Sequence, residues 1–264
     1  MTDGNREVTL VTGASMGIGR ALADAFAGQG HHLLLVARSG RMLEDLALEI
    51  GRMHGVRVFC FAADLAEPGS PQRIAEYCRK RGLHVTLLVN CAGISRASDF
   101  SELPSAALEC VMAVNMSAAA RLIRQFLPGM IAARKGGIIN LASLGGAQGV
   151  PGLALYSATK SFVITLSEAL HMELKGTGVR VVAVCPGFIE TGFMEKAGHD
   201  ARRVRLPINP VDVVVKAAMR GYRQNRMLVY PTLLDFLLVF SQRFTPRFVS
   251  AGLSGFLAAA RNNR

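Results

Sequence analysis

A chain of 264 residues with 50% hydrophobic content can bury a full core, and no linker, low-complexity tract or internal repeat divides it. Its five cysteines (Cys60, Cys78, Cys91, Cys110, Cys185) are odd in number and lack metal-type spacing, so buried free thiols are expected in place of disulfides or zinc, and no metal site is assigned. The net charge of +11 comes with four Tyr, no Trp and no nucleic-acid reader motif, so bulk charge is the sole argument for nucleic acid and no such partner is expected.

Met1 to Arg6 is polar, with no apolar signal region behind a basic start, and cytoplasmic residence is the default expectation. Val8-Thr9-Leu10-Val11 reads as a buried strand, followed by the turn Thr12-Gly13-Ala14-Ser15-Met16-Gly17-Ile18-Gly19 and a helical pattern in Ile18, Leu22, Ala25 and Phe26. Strand, tight glycine turn and helix, in that order, make a dinucleotide site: glycine lets the backbone approach a pyrophosphate, and the helix N-terminus offers N–H donors. Many strand-to-helix turns need glycine for geometry alone, so the turn by itself is weak evidence. No Gly-Lys-Ser/Thr follows, which disfavours a nucleoside triphosphate loop.

The second strand, Leu33 to Ala37, bears on cofactor choice. An NAD site places an acidic residue roughly 20 positions beyond the glycine turn to bond the ribose 2′-hydroxyl. Here Ala37, Arg38, Ser39 and Arg41 occupy that stretch instead. A guanidinium suits a 2′-phosphate through bidentate, charge-assisted bonds, so NADP(H) is expected, with Arg38 as main contact and Ser39 assisting. Arg38 as a solvated loop residue is the plain alternative, and Met16 puts no positive charge in the glycine turn.

Gly136-Gly137-Ile138-Ile139-Asn140-Leu141-Ala142-Ser143 reads as a buried strand ending in a hydroxyl, where open α/β sheets bind their ligands. Tyr156 and Lys160, four residues apart, share a helix face. Moving a phenol from its ordinary pKa near 10 toward neutrality needs roughly 4 kcal/mol, about what one cation at about 4 Å supplies at an effective dielectric of about 20. Apolar strands near Val8, Leu33, Val56, Val85, Ile138, Val179 and Met227, alternating with amphipathic helices, predict a single-domain, doubly wound, seven-stranded parallel sheet covered on both faces.

The last quarter is the basic end: residues 201–264 hold eleven Arg or Lys against Asp212 and Asp235, which is +9 of the total. Leu233 to Phe240 is apolar, and Val249, Leu253, Phe256 and Leu257 mark a second helix near Arg243 and Arg247. No stretch is read as approaching the roughly 20 apolar residues of a membrane span. Peripheral contact with an anionic membrane is one reading of this end; packing on the sheet or on a sister subunit is the other.

These motifs, in this order, resemble the short-chain dehydrogenase/reductase family. The resemblance runs to about Pro231 and rests on the Thr12 to Gly19 turn, Asp64-Leu65, Asn90-Cys91-Ala92-Gly93, Asn115, Ser143, Tyr156 with Lys160, and Pro186-Gly187 followed by Thr191. Cys91 departs from the commoner Asn-Asn-Ala-Gly. The resemblance implies that Ser143 bonds the substrate oxygen, Tyr156 exchanges the proton, Lys160 lowers the Tyr pKa and holds the nicotinamide ribose, and Asn115 kinks its helix and completes the tetrad. It implies cofactor contacts at Gly13, Ser15, Met16, Gly17, Ile18, Gly19, Asp64, Leu65, Asn90, Ala92, Gly93, Pro186, Gly187, Ile189 and Thr191, besides Tyr156 and Lys160. It also implies a substrate lid after Gly187 and a homodimer or homotetramer.

Residues 1–230 are expected to form the Rossmann-like nucleotide-binding and catalytic unit, and residues 231–264 a helical extension associated with it. Leu144 to Leu155 is uncharged, and Phe188, Ile189, Phe193 and Met194 are apolar, which predicts an apolar pocket with substrate contacts at Ser143, Leu144, Leu153, Tyr156, Phe188 and Phe193. The expected activity is NADP(H)-dependent interconversion of a carbonyl and an alcohol on a lipid-like, steroid-like or acyl-thioester substrate. An NAD-dependent alcohol dehydrogenase and a non-catalytic nucleotide-binding scaffold are the alternatives.

Overall fold

A computed structural model describes residues 6–260, so most of the polar segment Met1 to Arg6 lies outside the described residues. Strands β1 (Glu7–Thr12), β2 (His32–Ala37), β3 (Val58–Ala62), β4 (His84–Asn90), β5 (Gly136–Leu141) and β6 (Val179–Val184) are crossed by α1 (Gly17–Ala27), α2 (Gly40–His54), α3 (Ser70–Arg81), α4 (Ser105–Met112), α5 (Ala119–Ala132) and α6 (Ala154–Glu173). Later come β7 (Phe188–Ile189), α7 (Phe193–Lys196), β8 (Ile208–Asn209), α8 (Val211–Arg223), β9 (Leu228–Val229), α9 (Leu233–Ser241) and α10 (Arg247–Ala258). The main sheet is parallel, in the order β3-β2-β1-β4-β5-β6-β9, as the alternation of strands and helices predicts.

The strands are continuous apolar runs because both faces are covered. Leu33 and Leu35 of β2 enter one core with α1 and α8, while Leu34 and Val36 enter the other with α3 and α5. β4 divides likewise, Leu87 and Val89 on one side and Leu88 on the other. The order reverses between β1, which pairs with β2, and β4, so the C-terminal ends of β1 and β4 open a crevice at that switch point. Every motif with chemistry in it sits at this edge.

Three features differ from the sequence reading. The final strand is two residues long, and a separate two-stranded ribbon, β7 with β8, brackets the segment after Gly187. In line with the kink at Asn115 that the resemblance implies, α4 and α5 run on through a π-helical turn, Ala113–Ala118, that contains this residue. The resulting helix, Ser105–Ala132, has 28 residues and is long and apolar enough to cross a membrane by length and composition, contrary to expectation. Its charged residues, Glu109, Arg121 and Arg124, are too few to interrupt the apolar run. One side of it, including Val114, Ala118, Leu122, Ile123 and Met130, packs on the sheet.

Candidate active site

The glycine turn is built by close backbone approach. Gly13 takes φ +66°, and a Cβ there would stand 2.9 Å from Ala92 Cα; a Cβ on Gly19 would stand 2.3 Å from Gly13 O. Thr12 Oγ1 accepts from the N–H groups of Cys91 and Ala92, both at 3.1 Å, which ties the end of β4 to this turn. α1 starts without a side-chain cap and has no acidic residue in its first turn, so its N-terminal N–H groups and dipole suit an anion.

A cavity of about 750 Å³ runs along this edge. Of the expected cofactor contacts, Gly13, Ser15, Met16, Gly17, Ile18, Gly19, Arg38, Ser39, Asp64, Leu65, Ala92, Gly93, Tyr156, Lys160, Pro186, Gly187, Ile189 and Thr191 line it. Asn90 does not: its Nδ2 donates to Asn140 Oδ1 at 2.9 Å inside the sheet. Ser39 also caps α2 and Asp64 accepts from Ala66 N, so each serves local structure while facing the cavity. The buried hydroxyl of Ser95, on the cavity wall, has no hydrogen-bond partner among the described residues. Glycine cradle, uncapped helix and spare hydroxyl together fit a bound dinucleotide.

Ser143, Tyr156, Lys160 and Phe193 meet on the same cavity. Gly146 brings the turn after Ser143 against α6, since a Cβ there would stand 2.7 Å from the Lys160 backbone. Ser143 hydrogen-bonds Tyr156 and accepts from Gly145 N at 3.1 Å. The Phe193 ring lies 5.8 Å from the Tyr156 ring. Lys160 is buried, its Nζ 2.6 Å from Leu141 O and 5.8 Å from the centre of the Tyr156 ring. Asn115 lies behind the wall: its Oδ1 accepts from Ile94 N at 2.9 Å, and its Nδ2 donates to Ile94 O and Thr159 Oγ1.

The electrostatics correct one expectation. Burial pushes the Tyr156 phenol up to about 12, against the opposing pull of the Ser143 bond, and pulls Lys160 down to about 8. Burial and the Ser143 bond set the direction of the phenol's shift, and Lys160 is not among the groups that pull the phenol back down. The lysine does not by itself make the phenol acidic. The ammonium is directed at Leu141 O, and both side chains line the cavity.

Substrate contacts also need correction. Phe188 and Phe193 line the cavity, but Leu144 and Leu153 do not. Leu144 lies beneath Gly187, and Leu153 packs with Val150, Ala258 and Ala260. Apolar lining comes instead from Ile94, Ala107, Cys110, Val111 and Val114, carried by the loop after β4 and by the long helix. Lys196, at the end of α7, reaches back to within 2.8 Å of Met16 Sδ and places a cation at the glycine turn. No local pattern announces a contact 180 residues away. The thiols are free, but only Cys78 and Cys185 are buried; Cys60, Cys91 and Cys110 are partly exposed.

This fold and site define a nicotinamide-dependent oxidoreductase, and comparison with known proteins agrees. A family model described as short chain dehydrogenase matches residues 7–202, and the chain belongs to that family. It is 30% identical over 243 residues to human epidermal retinol dehydrogenase 2, spanning 91% of this chain and 78% of the relative. A short-chain dehydrogenase from Sphingobium yanoikuyae in complex with NADPH superposes with TM-score 0.81 at 32% identity, covering 90% of this chain and 94% of the other. A 3-oxoacyl-[acyl-carrier protein] reductase with bound NAD from Brucella melitensis gives TM-score 0.74 at 27% identity, covering 85% and 88%.

Proposed function

We propose that the protein is an NADP(H)-dependent oxidoreductase that interconverts a carbonyl and an alcohol on an apolar, lipid-like, steroid-like or acyl-thioester substrate. The observation that carries this reading is one cavity with Arg38 and Ser39 on its wall, just beyond the end of β2, and Ser143, Tyr156 and Lys160 on the same wall system. From Ala37 to Leu43 there is no carboxylate to bond a ribose 2′-hydroxyl. Arg38 there, with the Lys196 cation beside Met16, favours a cofactor carrying an additional phosphate.

The nicotinamide supplies or accepts the hydride when bound, and the protein's groups manage the oxygen and the proton. In the reducing direction the hydroxyls of Ser143 and Tyr156 donate to the carbonyl oxygen. Tyr156, kept protonated by burial, releases its proton as negative charge grows on that oxygen. The Lys160 ammonium and the Ser143 hydroxyl then stabilise the phenolate. Asn115, fixed in the π turn, positions Ile94 and Thr159 beside Lys160 and so holds the route by which the proton is replaced. Phe188, Phe193, Val111 and Val114 exclude water and favour an apolar skeleton.

The test measures kcat/KM with NADPH and with NADH over a panel of apolar and small hydrophilic carbonyls, for the natural protein and for Tyr156→Phe. NADPH and apolar carbonyls are expected to be preferred. The variant should lose at least about a thousandfold in turnover while cofactor affinity stays within about twofold. Equal or better use of NADH removes the cofactor assignment, turnover confined to hydrophilic compounds removes the substrate class, and an active Tyr156→Phe removes the proton donor.

A further inference from the structure

The C-terminal helices expose an unusual amount of large apolar surface. Leu233, Leu237, Phe244, Phe248, Leu253 and Phe256 are 49–79% exposed, and Leu234, Phe236, Phe240 and Val249 also face outward. A ladder of rings runs through it: Phe236 stacks on Phe240 at 5.7 Å, and Phe240 meets Phe244 at 5.6 Å. Monomeric proteins seldom leave a surface of this kind without a use. Its underside is tied down along one loop. Gln242 bonds Gln148, Ser254 Oγ donates to Gly149 O, and Gly255 lies against Pro151, so both helices are seated on the segment before α6.

Charge decides between occupants. From Val213 to the end of the chain the single acidic residue is Asp235, which is buried in the capping box of α9. Arg243 lies 5.8 Å from the centre of the Phe240 ring, and Arg205 lies 4.0 Å from that of Phe256. Arg247 begins α10 between the exposed Phe244 and Phe248. Two copies paired through this face would bring the same cations together, with no exposed acidic residue on α9 or α10 to answer them. Apolar side chains interleaved with arginine, on helices too short to span, suit the boundary of a negatively charged bilayer. Each basic group near such a surface contributes about 1 kcal/mol.

We propose that the outer face of α9 and α10 docks on an anionic lipid bilayer. The same helices touch the cavity rim: Asp235 lies against Gly187, and Ala258 O accepts from His199 just beyond α7. Docking therefore sets the lid segment beside the lipid, from which an apolar substrate enters. That last point rests on the proposed function; the lipid contact itself does not.

The full chain is floated with vesicles of phosphatidylcholine alone and of equimolar phosphatidylcholine and phosphatidylglycerol, at low and high salt. It should float with the anionic vesicles and be released by salt. Phe244→Ser with Phe248→Ser, at 78% and 79% exposed, should weaken binding at least about tenfold, and Arg243→Gln with Arg247→Gln should remove the salt dependence. Thermal melting and NADPH binding of both variants should match the natural protein, which separates lost docking from lost folding. A full chain that stays in the soluble fraction with both vesicles overturns the proposal. So does a Phe244→Ser, Phe248→Ser variant that splits an oligomer in sedimentation while vesicle binding persists, since the face is then a subunit contact. Vesicle binding by a protein that reduces no carbonyl leaves the docking surface standing and removes the enzymatic reading.

Discussion

Lys160 shows how burial and chemistry compete at a single side chain. Its ammonium is enclosed among the sheet end, α6 and Gly93, and burial lowers its pKa from 10.5 to about 8. A depressed lysine pKa means that the unfolded chain holds a proton the folded chain has released, so stability rises with pH between the two values. Below about 8 both states are charged and the folded state bears the full cost of burial; above 10.5 that cost is gone. Melting curves of the natural protein and Lys160→Met across pH 7 to 11 should therefore converge or cross in the natural protein's favour as pH rises, by about 3 kcal/mol in all. A difference independent of pH means that the amine is better solvated than its surroundings indicate. Tyr156 moves the opposite way, and its pairing with Lys160 is why the spacing of two residues was readable while their electrostatic balance was not. Spacing places both on one side of α6, but the degree of enclosure comes from β5, Gly93 and the turn at Gly146.

At the level of elements, the segment from β7 to β8 joins substrate side and cofactor side. Gly17 lies close to Thr191, and Lys196 on α7 reaches Met16. Lys196→Met should weaken NADPH binding several-fold in titration calorimetry, with a shallower salt dependence, and Lys196→Arg should restore most of it. Unchanged affinity in Lys196→Met means that the cation serves solvent and not the cofactor. Motif order made the strand, glycine turn and helix legible, as well as the family resemblance. The resemblance implied a kink at Asn115, but periodicity did not expose the π turn that makes it. A change of one residue in the hydrogen-bond spacing leaves the apolar pattern almost intact, so Val111, Val114 and Ala118 still read as an ordinary helix face. Leu144 and Leu153 mislead in the opposite sense, because an uncharged loop beside a site need not turn its side chains into it.

The molecule leaves apolar surface on the long central helix as well as on α9 and α10. The helix Ser105–Ala132 has only 33% of its most apolar window buried, and Met112 and Ile131 remain exposed on it. Members of this family typically form oligomers, and covering this helix with a second subunit would remove that surface from water. Sedimentation of the purified chain should give a dimer or tetramer that persists when Phe244 and Phe248 are replaced by Ser; a monomer at micromolar concentration counts against self-association through this helix.

Local order in the chain was enough for the parallel sheet, the nucleotide turn, the residue pair on α6 and the basic end, because each is a pattern over neighbouring positions that backbone geometry converts directly into placement. Distance-dependent facts needed the assembled fold: Lys196 beside Met16, Asn90 drawn into the sheet by Asn140, the phenol pushed up by burial. Those depend on which remote segments exclude water from a group and which supply it with a partner, and contacts of that kind are set only when the layers close.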